Sequence, residues 1–322
     1  MRIKLIGICL MLLVSCETGH QEYSIEAFMN TTTIGGASFS PDEKSILIRS
    51  NQSGIYNAFE INIDSGITTQ LTHSDSNSIF PISYFPKDKR FLYRGDQNGN
   101  EIWHIYVQNE NGSTRDLTPG EKSRSLFSGW TYDEKSFYYT SNQRNPKYMD
   151  IYVMNIYSFK SEMIYQNDDA LNFADVSNDG RYLALNKSHT RDNSDMYLYD
   201  VQSGNLNHIS NHEGNVNFNP SSFSVDSKSL YFLTDKDSEF KYLQKYIIAD
   251  GTIIEIQKEE WDIWYSYFSH SGRYRVTGIN ADSQTEIEVF DYEKNRPVRL
   301  PQLPAGSISS VSISKSEKYM AL

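Results

Sequence analysis

A turn signature repeated seven times at an almost constant spacing is the feature that most constrains the fold of this chain. Each copy places an Asp or Ser between two apolar stretches, with a Lys or Arg two residues later. The copies span residues 39–44, 85–90, 130–135, 176–181, 223–228, 268–273 and 313–318. Their acid or Ser positions are 45 to 47 residues apart. A period of this length with strand-type patterning predicts an array of four-stranded propeller blades.

The fourth repeat shows how one unit divides into strands. Alternation with a period of two predicts an innermost strand at 172–176, a second at 181–185, a third at 196–200 and an outer strand at 206–210. Asp179 and Gly180 between the first two supply the positive φ of a tight hairpin. The signature is therefore a device for making hairpins. A helical turn is predicted only over residues 24–29, with Ser24 as its cap.

These patterns predict an all-β fold, a β-propeller of four-stranded antiparallel blades with six complete blades and the first strands of a seventh. The predicted divisions are a signal segment at 1–16, a lead-in at 17–36 and the propeller at 37–322. Since the seventh turn is followed by few residues, we expect the sequence to be a fragment of a longer protein. The alternative is that the last strands pad a six-bladed ring.

The first sixteen residues predict a signal segment. Arg2 and Lys4 precede an apolar stretch too short to span a bilayer, which ends in Leu13-Val14-Ser15-Cys16. That ending resembles a bacterial lipobox, which implies that Cys16 is lipidated and anchors the protein to a membrane. The predicted location is the bacterial cell envelope, facing the periplasm or the cell surface. An ordinary secretory signal with a chance Cys is the alternative.

The net charge and the positions of the histidines limit which partners and cofactors the chain is expected to bind. The formal net charge is −11 and no basic stripe is visible, so no nucleic-acid partner is expected. His208 and His212 are four residues apart on a strand and a loop, a spacing that predicts no shared face. We therefore predict no metal site and no cofactor. A metal-dependent polysaccharide lyase built on a propeller is an unsupported alternative.

Several segments resemble known propeller families. Residues 38–44, Asp64-Ser65-Gly66 and Gln70-Leu71-Thr72 resemble the blade motif of TolB-type propellers. Residues 23–36, the 117–120 step and 267–274 resemble the N-terminal propeller of bacterial prolyl oligopeptidase family serine peptidases, the group with acylaminoacyl peptidases and dipeptidyl peptidase IV. This similarity spans residues 23–322. In that family the propeller precedes an α/β-hydrolase domain that holds the catalytic Ser, Asp and His.

The resemblance implies that this chain has no catalytic residues of its own. The nucleophile elbow Gly-x-Ser-x-Gly occurs nowhere in the sequence, and the hydrolase domain is missing. The implied role is to gate peptide substrates and dock a C-terminal hydrolase domain. The rival prediction is a TolB-like scaffold lipoprotein that binds envelope proteins or glycans. Glu259-Glu260 resembles the paired Glu of dipeptidyl peptidases, but we expect it in a solvated loop.

A propeller also predicts where a ligand would bind. The innermost strands and the segments that lead into them converge on a central channel. Candidate contacts there are a cation and an indole, Arg124 and Trp264, for a carboxylate and an apolar side chain. The full set of channel candidates is Arg124, Asn172, Asn217, Trp264 and Tyr265.

Overall fold

The computed structural model describes residues 22–303, 308 and 310–322, and its one helix in that part is short. Helix α1 (Ile25–Met29) is capped by Ser24, whose hydroxyl accepts a hydrogen bond from the Ala27 amide at 3.2 Å. The predicted cap is confirmed. This segment belongs to a separate compact unit that ends at Thr32. Cys16 and the rest of the predicted signal segment lie outside the described residues.

The repeated signature builds the predicted hairpin turn. In the fourth repeat the Ser177 hydroxyl donates to Asp179 Oδ1 at 2.6 Å and accepts from the Tyr182 amide at 2.8 Å. The Arg181 amide donates to the same carboxylate at 3.0 Å. Gly180 follows with a φ of 72°, whereas Asp179 does not adopt the positive φ predicted for it, because its carboxylate accepts the turn hydrogen bonds instead. The turns that begin at Ser40, Thr131 and Ser224 repeat these contacts.

Twenty-four strands form six four-stranded antiparallel sheets, each a blade made from consecutive strands. Blade 1 contains β1 (Ile34–Phe39), β2 (Ser45–Ser50), β3 (Asn57–Asn62) and β4 (Thr68–Gln70). Blade 2 contains β5 (Phe80–Tyr84), β6 (Phe91–Gly95), β7 (His104–Gln108) and β8 (Thr114–Asp116). Blade 3 contains β9 (Ser125–Trp130), β10 (Ser136–Ser141), β11 (Asp150–Asn155) and β12 (Ser161–Tyr165).

The other three blades follow the same order. Blade 4 contains β13 (Asn172–Val176), β14 (Tyr182–Thr190), β15 (Asn193–Asp200) and β16 (Asn205–His208). Blade 5 contains β17 (Phe218–Phe223), β18 (Ser229–Thr234), β19 (Tyr242–Ile247) and β20 (Ile253–Gln257). Blade 6 contains β21 (Ile263–Phe268), β22 (Tyr274–Ala281), β23 (Gln284–Asp291) and β24 (Arg296–Pro297). The six predicted complete blades are confirmed.

The first strand of every blade carries a register irregularity against the second. In blade 4 the pairing shifts between Phe173 and Asp175, and in blade 5 between Pro220 and Ser222. The same shift occurs in the other four blades. A bulge bends a strand and re-aims the side chains around it. The innermost strands therefore curve at the same level in each blade.

Large side chains fill the space between neighbouring blades. Phe85, Leu92 and Phe137 belong to one cluster between blades 2 and 3, and all are almost fully buried. Phe218 and Phe232 lie in a second cluster that joins blades 4 and 5. Full burial of such a side chain contributes about 1.5–3 kcal/mol. Aromatic and aliphatic side chains together thus stabilise the contacts between sheets.

A partial seventh repeat lies between blades 6 and 1. Its two short strands, β25 (Ser312–Ile313) and β26 (Met320–Ala321), pair with each other. On one side, the Tyr267 hydroxyl of blade 6 donates to the Val311 carbonyl at 2.6 Å. On the other, the Tyr319 ring stacks on Phe39 of blade 1 with centroids 6.4 Å apart. The predicted first strands of a seventh blade are confirmed.

Candidate functional site

All seven repeats contribute to one central cavity. It has a volume of about 600 Å³ and is enclosed by the carboxyl-terminal ends of the first strands and by the turns that follow them. Each repeat places at least one side chain on its wall: Ser38, Tyr84, Trp130, Asp175, Ser222, Tyr267 and Ser312. Because the wall is assembled from every blade, its chemistry depends on residues far apart in sequence.

Polar side chains on this wall join several blades to the next one. The position four residues before the turn acid or Ser is used repeatedly, and its side chain reaches the backbone of the following first strand. Ser38 accepts from the Tyr84 amide at 3.1 Å, Asp175 from the Phe223 amide at 2.8 Å, and Ser222 donates to the Ser266 carbonyl at 3.3 Å. These bonds tie the backbone of one first strand to a side chain of the preceding one.

Asp175 contributes a carboxyl with a shifted pKa to this wall. Burial raises the pKa of its carboxyl to about 6, while the Phe223 and Val176 amides oppose the rise. No cation contributes to this shift. A carboxyl that binds a proton near pH 6 inside a cavity can switch between accepting and donating a hydrogen bond.

The turns narrow the cavity at one end, which we call the turn face. Lys315 of the seventh repeat pairs with Glu134 of the third. Tyr132 of the third repeat stacks on His270 of the sixth, with ring centroids 4.9 Å apart. Both contacts join repeats on different sides of the ring, so they bridge the opening.

The five residues proposed from the sequence lie near the starts of the first strands, at the end away from the turns. Arg124, Asn172 and Trp264 are exposed there. Asn217 is buried and bonds both oxygens of the Asp235 carboxylate, at 2.7 and 2.9 Å. The Tyr265 ring packs over Gly278, where a Cβ would lie 2.4 Å from it. None of the five lines the central cavity.

The histidines come closer together than their spacing predicts. His189 and His208 bond the two carboxylate oxygens of Asp195 at 2.7 and 2.8 Å. His212 lies beside the same carboxylate but directs its ring nitrogens to the Ser210 carbonyl and to Asn193. Within the described ranges, no group of three or more His, Cys, Asp or Glu side chains is placed to hold a metal ion.

The paired glutamates and the helix content remain to be compared with the predictions from the sequence. Glu259 and Glu260 lie in the loop between β20 and β21, as predicted. The Glu259 carboxylate accepts a hydrogen bond from the side-chain Nε2 of Gln257 at 2.8 Å. In the part of the chain that the structure covers, no helix has both the length and the apolar character needed to cross a membrane.

The fold and the cavity define the chain as a β-propeller domain with a central ligand-sized cavity. A family model for the prolyl oligopeptidase N-terminal β-propeller domain matches residues 72–321, well over half of the chain. The chain therefore belongs to this propeller family. No curated protein sequence matches it.

Solved structures agree with this fold at low sequence identity. A prolyl endopeptidase analysed for inter-domain dynamics is 16% identical, with a TM-score of 0.64 over 88% of this chain and 45% of that one. Prolyl oligopeptidase B from Galerina marginata is 14% identical, with a TM-score of 0.62 over 88% and 45%. An oligogalacturonate lyase in complex with manganese is 13% identical, with a TM-score of 0.67 over 90% and 86%. The chain thus spans 45% of the length of either prolyl peptidase.

Proposed function

We propose that this propeller gates peptide substrates and docks the hydrolase domain of a prolyl oligopeptidase family serine peptidase, without catalytic activity of its own. The observation that carries the proposal is the family match together with a cavity to which all seven repeats contribute. The share of the prolyl peptidases that the chain spans leaves room in such proteins for a second domain of similar size.

The geometry favours one face for docking. In a four-stranded antiparallel blade the first and third strands run towards the turn face, and the second and fourth run away from it. Each blade therefore begins and ends on the opposite face, where a chain that leaves an outer strand would emerge. Contacts across the ring narrow the turn face. A catalytic domain on the opposite face would receive what the cavity admits.

The size of the cavity supports a filtering role. A cavity of about 600 Å³ is comparable to pockets that hold a small organic ligand. An extended peptide segment fits such a space, whereas a folded domain of 100 residues has a radius of gyration of about 13 Å. The propeller would thus admit short or unfolded peptides and exclude folded proteins.

The reading frame beyond codon 322 tests the docking role. We expect it to continue with a Gly-x-Ser-x-Gly segment followed by an Asp and a His, the residues of a hydrolase triad. A stop codon within one blade length would contradict the proposal. That outcome would favour the TolB-like scaffold, which stays a prediction from the sequence.

We also propose that Cys16 is lipidated and holds the protein on a membrane of the bacterial cell envelope. The support is the sequence of residues 1–16 alone. Cys16→Ser is expected to move the protein expressed in a bacterium from the membrane fraction to the soluble fraction. An unchanged distribution, checked by immunoblot, would reject the anchor.

A further inference from the structure

A second cavity lies beside the central one, towards the face opposite the turns. It has a volume of about 360 Å³ and shares Ile82 with the central cavity. Arg49 and Arg94 line it, with Phe80, Ile82, Leu126 and Phe127 as the main apolar surfaces. We call this space the arginine cavity. Its composition combines two fixed positive charges with an apolar wall.

The two arginines occupy equivalent places in neighbouring blades and share one aromatic ring. Each is the last but one residue of its second strand, β2 and β6. The Phe80 ring lies 5.8 Å from the Arg49 guanidinium carbon and 5.5 Å from that of Arg94. Tyr56 and Trp103 contact the same two guanidinium groups at 5.8 and 5.1 Å. Aromatic contacts orient a guanidinium but leave its charge in place.

Neither guanidinium has an anionic partner among residues 22–303, 308 and 310–322. Four other arginines, Arg90, Arg144, Arg181 and Arg273, each pair with an Asp at 2.7 to 3.0 Å. Arg49 and Arg94 form no hydrogen bond or ion pair there, and Arg49 Nε is buried without an acceptor. Since these described residues supply neither guanidinium with an acceptor, an oxygen ligand entering the cavity would meet donors that no protein group occupies.

The backbone leaves room for this arrangement. Gly35 lies opposite Arg49 in the β1–β2 pairing, and a Cβ built on it would be 3.0 Å from Arg49 Nε. The absence of a side chain at position 35 lets the guanidinium lie against the first strand. The Arg49 side chain is thus held over the cavity by a specific local geometry.

We propose that the arginine cavity binds the C-terminal carboxylate of an oligopeptide whose last side chain is apolar. A carboxylate matches the fork of a guanidinium through paired hydrogen bonds, and two arginines line this one cavity. The apolar wall fits a Leu or Phe side chain better than a sugar ring covered with hydroxyl groups. The peptide class rests on the proposed function, but the carboxylate preference rests on the cavity itself.

Titration calorimetry on the 322-residue chain tests this with matched probes. Acetyl-Ala-Leu with a free carboxylate is compared with its C-terminal amide, with digalacturonate and with inorganic phosphate. We expect the free acid to bind at least tenfold more tightly than each of the other probes, because only it supplies both the charge and the apolar side chain. Equal binding of acid and amide, or tighter binding of digalacturonate or phosphate, would overturn the proposal.

Variants identify the residues responsible. Arg49→Gln and Arg94→Gln are each expected to weaken binding of the free acid at least tenfold, and Arg94→Lys by less. The matched control is Arg115→Gln, since Arg115 also stacks on an aromatic ring, Phe159 at 5.2 Å, but is exposed on β8. Wild-type affinity in both Gln variants would reject the site. Thermal unfolding checks that each variant folds, and Arg94→Lys keeps the test decisive if Arg94→Gln does not.

The experiments distinguish failure of the proposed carboxylate site from failure of the proposed function. Calorimetry on this chain requires no hydrolase domain, so loss of the carboxylate preference would leave docking and gating intact. A stop codon soon after position 322 would overturn the docking role and leave measured binding of the free acid unaffected.

Discussion

At the scale of single residues, the carboxyl of Asp175 is expected to make the stability of the fold depend on pH. Burial raises the pKa of its carboxyl to about 6, above the ordinary value of about 3.9. The folded state therefore binds this proton more tightly than the unfolded state. The associated stabilisation is fully present below about pH 4 and is lost as pH rises through about 6.

The Asp175→Asn variant tests whether this side chain makes the folded state less stable as pH rises. The amide oxygen can still accept from the Phe223 amide, but the side chain no longer ionises. Between pH 4 and pH 7, we expect the unfolding free energy of the wild type to fall by roughly 2–3 kcal/mol relative to the variant. Urea denaturation across this range measures the difference. Parallel curves would contradict it, and the exposed Asp64→Asn supplies the control.

Residues of this kind were only partly predictable. The sequence correctly places Glu259 and Glu260 in a loop, because the neighbouring strands have strong local patterns. Sequence reasoning missed Asp175, Arg49 and Arg94, since side chains or backbone of a neighbouring blade complete the surroundings of each. A signal for Asp175 is present in the alignment of repeats, where a carboxyl stands at a position held elsewhere by Ser, Tyr or Gly.

At the scale of secondary-structure elements, the turn between the first two strands has the most defined chemistry. Ser177→Ala removes a hydroxyl that donates to Asp179 and accepts from the Tyr182 amide. Ser177 is buried, so we expect the unfolding free energy to fall by about 1–3 kcal/mol. Chemical denaturation compares it with Ser203→Ala in the exposed β15–β16 turn, expected to change stability by less than about 0.5 kcal/mol. Equal losses in both variants would refute this role.

The positions of the strands follow closely from the local sequence, but the lengths of some strands do not. The first strand of blade 4 begins and ends where predicted, at Asn172 and Val176. Strands β14 and β15 are longer than predicted, because they continue as a hairpin to Thr190 and Asn193. That stretch is rich in polar residues and lacks apolar alternation, so period-2 patterning does not detect it. The first strand of blade 1 begins at Ile34, inside the predicted lead-in.

At the scale of the whole molecule, the number of repeats decides how the ring is arranged. At the cavity, the seventh repeat contacts both blade 6 and blade 1. The period and the turn signature predict this count. The cavity chemistry could not be predicted, because the polar bonds between blades join residues about 45 positions apart.

Under the proposed function, the propeller selects the peptide and a second domain cleaves it. The isolated chain should surround and select a peptide, and bond cleavage should require the Ser, Asp and His of a hydrolase domain. The chain's share of the prolyl peptidases' length fits this division.

The most direct measurement compares the 322-residue chain with the longer protein that the proposed function expects, in which a hydrolase domain follows the propeller. The substrates are a short acylated peptide and a full-length unfolded protein that carry the same cleavage site. We predict no turnover by the 322-residue chain, and many-fold faster cleavage of the short peptide than of the long protein by the longer form. Turnover by the 322-residue chain, or equal rates on both substrates by the longer form, would contradict the account.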